Sequence, residues 1–322
     1  MYLIKRYNNS SNKKIKKEEK KERKIMTDKK ELKNYFVVVG RLKAVNFRNE
    51  EKKAEQVSAR ATIESEIEGK TLTFEIDFFS KAVTNAGAPN KLYAAYCDLP
   101  NHIGQKVKVT GDFRENRYYD VTKEVIVGSN LLNGRFINYD TQDADSASFE
   151  FQGFIVQGLV EKTNKNNEVY GYTISIGQEG YKENSLTVIK FNVEATPENS
   201  ANIDYIRENY LPGYSVTVFG KLDFHTEITT QEIGEGGFGG PIVREFKNTY
   251  RNFYITKGTT PFSPDEDKAF YNDDKIAALV NSYKSRDVEL EKEAKEKNAT
   301  PVSTPTAPVS APAAKKRTGS LI

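Results

Sequence analysis

The stretch GQKVKVTGDFRENRYYD (Gly104–Asp120) returns later in looser form as GYSVTVFGKLDF (Gly213–Phe224). Gly104 aligns with Gly213 and Gly111 with Gly220, both at an offset of 109 residues. A second pair of blocks, FVVVG (Phe36–Gly40) and FIVQG (Phe154–Gly158), matches at an offset of 118. Two ungapped matches in the same order point to a duplicated module. Whatever fold is assigned to one half must therefore be able to occur twice.

Alternation supplies the elements of the first module. Tyr35–Ala44 is a β-branched run. In Gln56–Ile63, Val57, Ala59, Ala61 and Ile63 alternate with polar residues. In Thr71–Phe79, Leu72, Phe74, Ile76 and Phe78 share one face and Phe79 falls on the other. Asn90 precedes a short amphipathic helix through Leu92, Ala95, Tyr96 and Leu99, closed by Pro100. The Gly104 strand follows, with a turn expected at Arg114–Arg117, and Val121–Val127 makes a fifth strand. The second module repeats this order in Phe149–Val160, Tyr170–Ile176, Leu186–Val193, a helix carrying Ile203, Ile206 and Tyr210, Ser215–Phe224 and Glu245–Thr256. Its last two strands are joined by a glycine-rich segment with Phe238 at the tip.

Three strands, a helix and two strands, used twice, fit an all-β chain with short helices: two tandem five-stranded Greek-key barrels of the OB type. The expected organisation is a charged, disordered arm over 1–33, a first barrel over 34–130, a linker over 131–147 and a second barrel over 148–260. A C-terminal helical segment over 261–297 and a disordered Pro/Ala/Ser/Thr tail over 298–322 complete it. Ser263-Pro264-Asp265-Glu266 reads as the N-terminus of the C-terminal helix, and Ile276, Leu279, Val280 and Tyr283 as its apolar stripe. Purine-only codons can encode KKEEKKERKIM, so Met26 is the expected start of translation.

Composition limits the chemistry. Ten of the 48 basic and three of the 45 acidic residues lie in residues 1–26, so the rest carries 38 against 42 and is slightly acidic. A nucleic-acid reading must then rest on local patches, not on global charge. A single cysteine, Cys97, excludes a disulfide framework and a multi-cysteine metal site. The two histidines, His102 and His225, lack metal-ligand spacing, and no phosphate loop of the Walker type occurs. No metal, no cofactor and no catalysis are expected. No apolar run approaches the roughly 20 residues a membrane span needs, and a cytoplasmic location is expected.

VVVGRL (Val37–Leu42), EIDFFSK (Glu75–Lys81) and Gly104–Asp120 together resemble the bacterial and phage single-stranded DNA-binding protein family over residues 35–128. That resemblance implies single strands bound across a barrel face, with bases stacked on rings and phosphates paired with Lys and Arg. The family's usual tryptophans are absent here, so Phe and Tyr would serve. The family's acidic tip is replaced by Lys315-Lys316-Arg317 and Leu321-Ile322. Two barrels in one chain suggest a monomer or dimer.

Strand parity selects the rings left over from the cores. Phe79, Tyr118, Phe219, Tyr250 and Tyr254 fall on outward registers, and Phe47 and Phe238 in loops. The cations beside them are Arg41, Lys43, Arg48, Arg60, Arg114, Arg117, Lys123, Lys221, Arg244 and Arg251. Stacking on such rings tolerates any base. The reading is a sequence-tolerant single-stranded DNA-binding protein acting in replication, recombination or repair, of phage or plasmid type. Replication or recombination proteins would be met through the C-terminal helix or tail. Two alternatives stay open: an adaptor whose barrels contact proteins, and a single-stranded RNA binder.

Overall fold

The computed structural model describes residues 32–299, except 49, 53, 195, 197–199 and 235–241. Its ten strands are β1 (Asn34–Arg48), β2 (Gln56–Ile67), β3 (Lys70–Lys81), β4 (Lys106–Asp120), β5 (Val125–Tyr139), β6 (Ser146–Thr163), β7 (Val169–Glu179), β8 (Leu186–Glu194), β9 (Ser215–Gly234) and β10 (Ile242–Gly258). Three α-helices accompany them: α1 (Lys91–Cys97), α2 (Ser200–Asn209) and α3 (Asp273–Ala299). The arm before residue 32, Met26 and the tail beyond residue 299 lie outside the described residues.

Two rings of five strands result. In the first, β1 pairs with β2, β2 with β3, β3 in parallel with β5, β5 with β4, and β4 with β1 again. In the second, β6, β7, β8, β10 and β9 close in the same order, with the parallel contact β8–β10 narrowed to the Tyr254–Asn192 pair. This is the OB-type barrel used twice. The rings are continuous with each other, because Asn34–Val39 of β1 also pairs antiparallel with Phe151–Ser146 of β6.

The inward residues read from alternation are inward in the structure. Leu72, Phe74, Ile76 and Phe78 of β3 are buried, as are Val107, Val109 and Phe113 of β4 and Phe191 of β8. Full burial of such side chains contributes about 1.5–3 kcal/mol each. The two cores meet in an aromatic seam. Phe113 lies with its ring centroid 5.7 Å from Phe36, 5.7 Å from Phe149 and 5.4 Å from Phe253, and Phe74 lies 5.2 Å from Phe224. The short helices plug their barrels with Tyr96 from α1 and with Ile203 and Ile206 from α2. Asn90 caps α1 by accepting from Leu92 N at 3.1 Å.

The glycine repeat has a structural cause. Gly104 and Gly213 sit at φ of 93° and 90°, and their N–H groups donate to Leu42 O and Ile155 O, both at 2.7 Å. Gly111 and Gly220 face the fifth strand so closely that a Cβ would stand 2.0 Å from Asn133 O and 2.0 Å from Tyr254 O. Alanine at Gly104 or Gly213 is expected to cost about 1–2 kcal/mol each, the left-handed penalty for a residue with a Cβ, measured by urea denaturation. Equal stability of wild type and variant would contradict that backbone geometry.

The block match at an offset of 118 is corrected. Phe36 lies opposite Gly111, and Phe149, not Phe154, lies opposite Gly220. A Cβ on Gly40 would meet Glu64 O at 2.3 Å, and one on Gly153, not Gly158, would meet Gly177 O at 2.2 Å. The first strands therefore correspond at an offset of 113. FIVQG mimics FVVVG in letters, but ladder position assigns equivalence to the glycine that must admit a neighbouring backbone.

Other boundaries move too. No turn occurs at Arg114–Arg117. β4 runs through it, paired residue by residue with β5, and the reversal comes at residues 121–124 with Glu124 at φ 53°. β5 then continues to Tyr139, into the stretch read as linker.

The C-terminal helix starts at Asp273 instead of Ser263. Ser263 and Glu266 close on each other, with Ser263 N donating to Glu266 Oε1 at 2.8 Å and Glu266 N to Ser263 O at 2.9 Å. That turn does not propagate, because the following chain is tied to barrel 2. Phe270 N donates to Ser215 Oγ at 2.8 Å and Glu179 N to Tyr271 Oη at 2.9 Å. Asn272 caps the helix proper, accepting from Lys275 N at 3.0 Å. α3 packs on β4 of the first barrel and β8 of the second, with Leu279 fully buried. Its outer turns carry the pairs Arg286–Glu289, Arg286–Glu293 and Lys295–Glu291. Among the described residues no helix is long and apolar enough to cross a membrane.

Candidate nucleic-acid interface

Strand β10 extends past the barrel as one arm of a long ribbon with β9, and its even-numbered residues from Arg244 to Tyr254 face one way. The ladder sets them beside β9 residues as the pairs Arg244–Gln231, Phe246–Thr229, Asn248–Glu227, Tyr250–His225, Asn252–Asp223 and Tyr254–Lys221. Directly paired residues of an antiparallel ladder share a face. Along β10 the row reads Arg, Phe, Asn, Tyr, Asn, Tyr, with Phe246, Tyr250 and Tyr254 each about 13 Å from the next.

Two cations and a histidine accompany these rings. The Arg244 guanidinium lies 5.3 Å from the Phe246 ring centroid, and Lys221 Nζ lies 6.0 Å from that of Tyr254. His225 stacks on Tyr250 at 4.9 Å and 22°. Phe246 and Tyr250 are 37% and 40% exposed, which leaves each ring a face for another planar group. Tyr254 is half-buried, and burial pushes its phenol pKa up. The carboxylates on this face are engaged locally. Asp223 Oδ1 lies 2.7 Å from His225 Nδ1, Glu227 3.5 Å from His225 Nε2, and Glu194 3.8 Å from Lys221 Nζ.

The corresponding outer face of barrel 1 is arranged differently. Arg60 holds Asp77 in a two-pronged pair, Nε to Oδ1 at 2.7 Å and Nη2 to Oδ2 at 2.9 Å, and reaches Glu75 at 3.4 Å. The hydrogen bond to Asp77 raises the Arg60 pKa further. Arg48 lies 3.3 Å from the same Asp77. From barrel 2, Arg251 binds Glu75 and so ties the two barrels together. Lys43 pairs with Glu64 at 2.7 Å, and Arg41 donates to Gly104 O. These cations are matched by acids or carbonyls of the same surface, and exposed Phe79 stands beside them.

The remaining sequence-derived positions divide. Tyr118 and Phe219 are exposed as parity requires. Arg114 and Lys123 are exposed with loose contacts of 3.6 Å to Asp112 and Asp120. Phe47 is not in a loop: it lies on β1 and packs against the core. A register shift between Leu42 and Ala44 reverses the parity of β1, so Phe47 pairs with buried Ala59 and turns inward.

Arg117 is also displaced from the surface. Its side chain is 11% exposed, stacks 3.4 Å from the Tyr283 ring centroid, binds Asp287 and lies 3.6 Å from Glu115. Tyr283 Oη donates to Glu115 Oε1 at 2.6 Å, and burial lifts the pKa of both groups. This cluster holds α3 on β4. Phe238 lies outside the described residues.

Phe246, Asn248, Asn252 and His225 join the face without having been singled out from sequence. The first three were readable, since they share the two-residue period that places Tyr250 and Tyr254 together. His225 was not, because its neighbour comes from the other strand. Among the described residues no group of three or more His, Cys, Asp or Glu is placed to hold a metal ion.

Comparison with known proteins adds three findings. The sequence pattern of the YorF family matches residues 33–297. No curated protein matches the chain. Among solved structures, two crystal structures of the single-stranded DNA binding protein from Thermus aquaticus are similar. A deletion mutant has a TM-score of 0.45 at 11% identity, covering 72% of this chain and 98% of its own. The wild type has a TM-score of 0.45 at 10% identity, covering 71% and 92%.

Proposed function

The chain belongs to the YorF family, and for this member we propose sequence-tolerant binding of single-stranded DNA on the outer face of barrel 2. One observation carries the reading: the row Arg244, Phe246, Asn248, Tyr250, Asn252 and Tyr254 on a single face of β10. Rings at regular steps accept any base by stacking. Asparagine amides between them both donate and accept, and so suit any base edge. Arg244 and Lys221 supply positive charge along the row. The role is binding, without catalysis, in the exposure and repair of single strands during replication or recombination.

Barrel 1 supports a second reading for its own face. With Glu75 and Asp77 at its centre, each held by arginine, that face keeps its cations engaged in ion pairs and suits contact with another protein. A labelled oligo-dT titrated with the full chain, with unlabelled poly-dT, duplex DNA and single-stranded RNA as competitors, tests the assignment. Poly-dT is expected to compete and duplex not to, with affinity falling as salt rises. No binding of oligo-dT would leave the protein-contact reading in its place, and stronger competition by RNA would change the nucleic acid.

A further inference from the structure

A hydrogen-bonded chain crosses barrel 2 at right angles to its strands and ends in an unpaired cation. Lys162 on β6 lays its stem over β7 where Gly171 has no side chain, its Cδ 3.9 Å from the point a Cβ would occupy. Lys162 Nζ then donates to Asn192 Oδ1 on β8 at 2.6 Å, and Asn192 Nδ2 donates to Asn252 Oδ1 on β10 at 3.2 Å. Asn252 stands between Tyr250 and Tyr254 in the aromatic row. Lys190 is two residues before Asn192 and so on the same face of β8. Burial, followed by the charge of Lys190, lowers the pKa of Lys162.

Among the described residues no carboxylate forms an ion pair with either lysine. Glu115, the acid that feels the charge of Lys190, is occupied by Tyr283 Oη and by Val188 N. A half-buried ammonium with donors to spare, within reach of the charge of a second ammonium on the same face, is an arrangement that an anion stabilises. We propose that Lys162 and Lys190 seat one phosphodiester of the bound strand, over a floor made by Asn192. The strand would then leave the row at Tyr254 and cross β8 toward β6, instead of following the ribbon alone. This inference rests on the single-stranded DNA reading and adds the path to it.

The test uses the full chain with Lys162→Met, which keeps the stem over Gly171, and Lys190→Met, an exposed position that serves should the first variant fold poorly. Oligo-dT affinity is measured between low and moderate salt. Each variant is expected to reduce the magnitude of the log–log salt slope by about 0.7, the value for one phosphate contact on a single strand. Lys162→Arg should retain the wild-type slope. Wild-type binding with unchanged slopes in both methionine variants overturns the seat and leaves the DNA reading standing. Absence of wild-type oligo-dT binding overturns both. Inorganic phosphate displacing oligo-dT from wild type and Lys190→Met equally would also count against the seat.

Discussion

Replacing Phe246 and Tyr250 together by alanine is expected to weaken oligo-dT binding by at least about thirtyfold. Each ring contributes about 1–3 kcal/mol per stacked base, and 1.4 kcal/mol is a factor of ten. The two rings are about 13 Å apart along β10, beyond the range at which neighbouring substitutions couple, so their losses should add. Both side chains lie on the exposed face of the ribbon, outside the core, and the stability of the variant should stay within about 0.5 kcal/mol of wild type. Removing rings deletes no charge, so the salt slope should remain that of the parent. Phe79→Ala, on the ion-paired face of barrel 1, is the control and should change affinity little. If Phe79→Ala costs more than the double variant, the strand lies on barrel 1 and the assignment of the interface is wrong.

Arg117→Ala is expected to cost stability, not DNA affinity. Arg117 sits beneath α3 with Asp287 and Glu115 around it and the Tyr283 ring across its face. Its removal strands a buried carboxylate beside Tyr283, and breaking a buried charge cluster from one side typically costs about 3–5 kcal/mol. For a folded unit of this size that corresponds to a fall in Tm of about ten degrees. Amides of α3 should lose protection from hydrogen exchange before those of the barrels, because the helix leans on this cluster. Arg114→Ala, three residues away on the exposed side of β4, should shift Tm by no more than a degree or two. Both arginines look alike in the sequence as phosphate-pairing cations. An Arg117→Ala protein with unchanged Tm and a flattened salt slope would restore that expectation and show α3 undocked in solution.

Much of the architecture can be read from local pattern. Alternation names the inward faces of β3, β4 and β8, because successive strand residues point to opposite sides. The repeated glycines mark two barrels, because Gly104 and Gly213 need positive φ and Gly111 and Gly220 need a backbone at 2.0 Å from any Cβ. The same parity leads to Tyr250 and Tyr254 and, carried through the strand, to Phe246. These are properties of a residue and its near neighbours along the chain.

Tertiary structure decided the rest. The register shift at Leu42–Ala44 turns Phe47 inward, and an inserted residue reverses parity without leaving a mark on composition. Gly153 is the counterpart of Gly40 because Gly177 O approaches it, which depends on where β7 lies. Arg117 disappears under a helix 170 positions along the chain, while Arg60, Arg48 and Arg251 find Asp77 and Glu75 across strands. Lys162 reaches Asn192 only because β7 places Gly171 between them. A charge acts through its distance to partners, which register and packing settle; side-chain direction along a strand is set by backbone geometry alone.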